Sequence, residues 1–238
     1  MKRFYKDTGI EAGEGGWRVL LDGKPMRTPA KAVLIVPTEP LARAIADEWR
    51  NVPENAEINT AHLPMTRLAA TGLDRVAPRH AEIIEDTAKY AGSDLLCYRA
   101  SAPDSLVTLQ REAWQPLLDW AAERYGARLT VVEGMTLVTQ PEDTRNRLRA
   151  AVAGHADLAL AALYNLTHTS GSVVSALAVS EGRLNAEDAF AAAQVDELYQ
   201  VARWGDDPLA EKHRLGVRTD IAAGARFLTL LEKQKLRA

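Results

Sequence analysis

The pair Asp22-Gly23 limits the architecture of this chain more than any other feature. It sits between Trp17-Arg18-Val19-Leu20-Leu21 and Lys24-Pro25-Met26-Arg27-Thr28. Two residues of this type between strand-like runs form a hairpin turn whose central residues need positive φ. Two more runs belong with it. Arg3–Lys6 reads as a strand joined to Trp17–Leu21 by a glycine-rich connector over 9–16, and Ala32–Val36 is closed by Pro37. Four short strands within 37 residues predict an antiparallel meander with one face to cover. A helix follows at once: Thr38 is its cap, and Leu41, Ala44, Ile45, Glu48 and Trp49 recur at helical spacing.

Beyond Glu133 the alternating strand pattern disappears. Helical periodicity predicts segments over 66–73, 79–90 and 106–125, then 142–152, 156–165 and 171–179, and finally 208–231 with a break near Gly216. In the 106–125 helix, Leu106, Leu109, Gln110, Ala113, Leu117, Trp120 and Ala121 share a face, and Pro116 predicts a kink. The predicted class is α+β: a small antiparallel β-rich domain over 1–62 and a larger helical bundle over 63–238. A strand over 128–133 is open to returning to the N-terminal sheet.

Asn185 to Pro208 reads as one helix with both ends marked. Asn185 caps it, Glu187 and Asp188 favour the positive end of its dipole, and Gly205 stops it before an Asp207-Pro208 start to the next helix. Phe190, Ala193, Leu198, Val201 and Trp204 fall on one arc, with Glu197 inside it. Two readings stay open for that carboxylate: a core position with an internal cation, or a docking surface where it meets a partner's cation.

Chemistry has few places to reside. Net charge is −3, so no basic field exists for nucleic acid. A single cysteine, Cys97, excludes an intrachain disulfide, and His62, His80, His155, His168 and His213 lack metal-ligand spacing. No apolar run reaches the ~18 residues of a membrane span. The first residues lack a signal or transit pattern, which predicts a cytosol-like compartment. The most enzyme-like cluster is Thr167-His168-Thr169-Ser170-Gly171-Ser172. It supports either an anion- or phosphate-ester-binding enzyme using His168, Ser170 and Ser172, or simple capping of the next helix.

Ordered words along the chain point further. Leu21-Asp22-Gly23-Lys24-Pro25-Met26-Arg27-Thr28-Pro29, Pro64-Met65-Thr66-Arg67-Leu68 and Ser93-Asp94-Leu95-Leu96-Cys97-Tyr98 are three of them. They continue with Trp114-x-Pro116-Leu117-Leu118-x-Trp120, Ser170-Gly171-Ser172 and Asp196-Glu197-Leu198-Tyr199-Gln200. Together they resemble the ATP synthase assembly chaperones of the ATP-twelve type. The resemblance implies a non-enzymatic factor without a cofactor that binds the unassembled alpha subunit of the catalytic sector and shields its beta-facing surface until the ring forms. It also implies a β-containing N-terminal domain joined to a helical bundle. Family members with a presequence act in the mitochondrial matrix, whereas this sequence predicts a bacterial cytoplasm and a monomer. The partner-binding patch expected from helical phase is Glu197 with Phe190, Asp196, Leu198, Val201 and Trp204. A purely structural oligomer component, the third reading, predicts stable self-association.

Overall fold

The structure, a computed structural model, describes residues 2–134, 136 and 138–232. Strands β1 (Thr8–Gly13) and β2 (Gly16–Leu21) pair antiparallel from Thr8 opposite Leu21 to Gly13 opposite Gly16. Gly16 has φ +135, and a Cβ there would run into the Val36 carbonyl, so only glycine fits. Asp22 and Gly23, at φ 49 and 73, form the expected two-residue turn into β3 (Lys24–Pro25). The Asp22 carboxylate also accepts the amides of Lys6 (2.9 Å) and Asp7 (2.8 Å). Those bonds, the Asp7 one first, hold its pKa below the ordinary value. β4 (Ile35–Val36) pairs with the other end of β2, making β2 the central strand. Val19 and Leu21 alternate into the core from it.

The first expected strand is displaced. Arg3–Lys6 is not a strand; its Arg3 side chain donates to the carbonyls of Tyr5 and Lys6. The supposed connector supplies β1 instead, because strand-length pairing with β2 outweighs the entropic weakness of its glycines.

Helix α1 (Glu39–Arg50) begins at Thr38, whose hydroxyl accepts the Leu41 amide (3.3 Å) and donates to the Leu230 carbonyl (2.8 Å). It packs Leu41, Ala44 and Ile45 against β1 and β2. Glu48, on the edge of that face, caps the next helix, α2 (Pro64–Thr71). Its carboxylate accepts the Met65 amide (2.6 Å), the Thr66 amide (2.9 Å) and the Thr66 hydroxyl (2.8 Å). Burial nonetheless leaves its pKa raised. A π-helical turn over Gly72–Val76 and a 3₁₀ turn over Ala77–Arg79 absorb Pro78 before α3 (His80–Ala88). The elements up to His80, with 157–162 and the segment from Arg226, make one compact unit, and the rest of α3 belongs to the second.

The second unit holds residues 81–156 and 163–225. In chain order it brings a 3₁₀ turn (Leu95–Cys97), β5 (Tyr98–Arg99), α4 (Asp104–Tyr125), β6 (Val132–Glu133) and α5 (Glu142–Ala153). Then follow α6 (Asp157–Ser170), α7 (Val173–Ser180), α8 (Ala186–Ala193), α9 (Val195–Trp204) and α10 (Pro208–Glu232). The first residues of α6 and the last of α10 belong to the first unit. No strand occurs from 141 to 232, as expected. The α+β class is correct.

Three expectations need correction. β6 pairs in parallel with β5, Tyr98 opposite Val132, and does not return to the N-terminal sheet. α10 runs unbroken through Gly216, which is exposed and forces no bend. The core face of α4 carries Gln110, Trp114, Leu117, Leu118 and Ala121, while Leu109 is 45% exposed and Ala113 only half-buried. At the centre of this unit, α7 is buried along its whole length and packs against α4, α5 and α8. Its Val-Val-Ser-Ala-Leu-Ala-Val-Ser sequence has no charged face to keep in water.

Candidate functional site

The stretch expected as one helix is two. Gln194 leaves helical geometry (φ −118, ψ 20) between α8 and α9. The cause lies on α4: the indole Nε1 of Trp114 donates to the Ala192 carbonyl at 2.7 Å. In an uninterrupted helix that carbonyl would accept the Asp196 amide, four residues on. The interruption resets the helical phase, so Phe190 and Glu197 do not share one arc.

α9 is fixed to α4 by its inner side. Val195 and Tyr199 are buried, and the Tyr199 hydroxyl bonds Ser105 Oγ at 2.8 Å. Asp196 is half-buried and accepts from Gln110 Nε2 at 2.6 Å. Gln110 in turn accepts the Ala100 amide through Oε1 (2.7 Å) and takes an Arg99 guanidinium bond on its backbone carbonyl (2.6 Å). Arg99 also lies over the Trp114 ring, and burial lowers its pKa. Asp196 therefore supports α9 from inside.

The outward side differs. Glu197 is exposed, Leu198 is 39% exposed and Trp204 75% exposed. Val201 is half-buried. Phe190, also half-buried, lies under the Arg218 guanidinium, which pairs with Glu187 at 2.5 Å. Gly205 ends α9, and Asp207 caps α10 by accepting the Leu209 and Ala210 amides, both as the sequence implied. Leu209, just past this turn, is exposed like Trp204.

Sequence reasoning missed the other wall beside α9. Leu109, Ala113 and Pro116 of α4 face Ala191, Leu198 and Ala202 across an open groove of about 520 Å³. The signal was present: α4 carries more apolar residues than one core stripe uses, and the surplus lines this groove.

The enzyme-like cluster resolves into helix capping. Ser172 is buried and its Oγ accepts the Ser175 amide at 2.9 Å, starting α7. Ser170 is buried and bonds the Ser172 backbone. His168 is exposed, with Nδ1 3.0 Å from the Tyr90 hydroxyl and its ring against Tyr164. The three do not converge on an open pocket. The buried carboxylate of Asp94 completes the start of α7, accepting the Leu96 amide (3.1 Å) and the Val174 amide (3.2 Å). Burial pushes its pKa up to about 6 against those bonds and one from Ser172. Burial also pushes the Cys97 thiol up to about 12, so it is not a reactive thiolate at neutral pH. Among the described residues, no three His, Cys, Asp or Glu side chains could hold a metal ion. No described helix is long and apolar enough to cross a membrane.

Comparison with known proteins supplies a family. The family model described as ATP12 chaperone protein matches residues 2–122. A protein named Protein atp12, mitochondrial, from Schizosaccharomyces pombe is 25% identical over 225 residues, covering 90% of this chain and 76% of that one. The crystal structure of Atp12 from Paracoccus denitrificans superimposes with a TM-score of 0.90 at 41% identity, over 97% of this chain and 98% of that one. A solved protein from Agrobacterium tumefaciens gives 0.91 at 39% identity, over 97% and 86%. The sheet, the helical remainder and the ordered sequence words thus have one common explanation: this chain belongs to the ATP12 chaperone family, which serves ATP synthase assembly.

Proposed function

We propose that this protein is a non-enzymatic, monomeric chaperone of a bacterial cytoplasm that binds the unassembled alpha subunit of the ATP synthase catalytic sector. It shields the subunit's beta-facing surface and releases it as the ring forms. One observation carries this reading: α9, anchored by Val195, Asp196 and Tyr199, turns Glu197, Leu198 and Trp204 to solvent. An apolar surface bearing an unburied charge suits a partner that must be held in register and then given up. Val201, half-buried on α9, supports the edge of that surface, whereas Phe190 lies on α8 under Arg218. The capping roles of Ser170 and Ser172 speak against the rival anion-binding enzyme.

The test mixes purified alpha subunit with the chaperone and measures the mass of the complex by size exclusion with light scattering. A one-to-one complex that Trp204→Asp weakens is expected. Separate elution of alpha and chaperone at micromolar concentrations contradicts the reading.

A further inference from the structure

The groove beside α9 has walls of a particular kind. On α4 its lining residues recur at helical spacing from Leu109 to Leu117, about 12 Å along the axis at 1.5 Å per residue. Both walls are helices, most of whose backbone groups are satisfied internally. An extended peptide laid between them would find no ladder for its own N–H and C=O groups. A helix brings those bonds with it and needs only room for side chains, which Ala113, Ala191 and Ala202 leave between the larger Leu109 and Leu198.

Charge narrows the occupant. Glu112 and Asp188 line the groove, Glu197 stands exposed beside Leu198, and Arg183 is the cation among the lining residues. Pro116 has no N–H, so the Glu112 carbonyl lacks the donor an ordinary helix would provide four residues on. The Glu112 carboxylate offers an acceptor to an ammonium or guanidinium group.

We propose that the groove between α4 and the α8–α9 pair binds an amphipathic helix of the alpha subunit, two to three turns long, with a Lys or Arg beside its apolar face. This rests on the function proposed above and gives it a binding mode.

The probe is a set of overlapping 15-residue peptides tiling the alpha subunit, read by fluorescence anisotropy, alongside capture of the whole subunit. Binding by a basic amphipathic peptide is expected, with loss on placing a proline at its centre. Ala191→Phe fills the groove from an exposed position and should weaken both readouts at least ~tenfold. The double variant Glu112→Lys, Asp188→Lys should weaken them similarly, and it decides the matter if Ala191→Phe misfolds. Wild-type capture of whole alpha that both folded variants retain overturns the groove and leaves the chaperone function standing. Equal binding of the proline-broken peptide overturns the helical mode. Failure of the wild type to capture alpha overturns both.

Discussion

Glu197 and Asp94 are both carboxylates in helical surroundings, and their environments set opposite roles. Glu197 is exposed, so the reading that puts it in the core with an internal cation does not hold. Glu197→Lys should change unfolding free energy by no more than ~0.5 kcal/mol, the usual span for a solvated site. Binding of the alpha subunit should fall, which denaturant melts and pull-down together would check. Asp94 is fully buried at the start of α7 with its pKa raised to about 6 from 3.8. The folded state therefore holds the proton more tightly than the unfolded chain. The stability associated with this group is fully present below about pH 4 and lost as pH rises toward 6, by roughly 3 kcal/mol. Asp94→Asn lacks that titration. The stability difference between wild type and Asp94→Asn, followed from pH 4 to 7, should move in favour of the variant; a flat difference would remove Asp94 as a titrating group.

At the scale of elements, Trp114 and the α8–α9 junction form one device. Its indole N–H takes the Ala192 carbonyl and holds the two helices at a break that no proline or glycine marks. Trp114→Phe keeps most of the buried ring but leaves that carbonyl without its donor. The expected loss is about 1–3 kcal/mol in chemical denaturation. If the variant instead heals the break by restoring the Ala192–Asp196 helical bond, the loss shrinks and Glu197 changes direction, which partner binding would report. This junction also shows where sequence stops being legible. Caps are local chemistry, so Thr38, Ser172, Asn185 and Asp207 all perform as their sequence context indicated. The break at Gln194 depends on a side chain 80 residues earlier. The misassigned strand has a similar origin: Thr8–Gly13 pairs because β2 lies beside it, not because its composition favours a strand.

For the whole molecule, the hairpin at Asp22-Gly23 and the helical period after Glu133 were enough to give the α+β class. The candidate face was legible only in part. Periodicity picks out Leu198 and Trp204, whereas Leu109, Ala113 and Pro116 belong to a face that becomes evident only once Trp114 occupies the core. An exposed apolar surface of this kind is a liability for a protein acting alone and is useful when another chain covers it. The most direct test dilutes denatured alpha subunit into buffer with one equivalent of chaperone and follows light scattering, then adds beta subunit. Suppressed aggregation, followed by transfer of alpha into alpha–beta assemblies with free chaperone recovered, is the predicted result. Aggregation of alpha unchanged by the wild type, or suppressed equally well by a folded Leu198→Asp, Trp204→Asp double variant, would contradict the claim that α9 holds it.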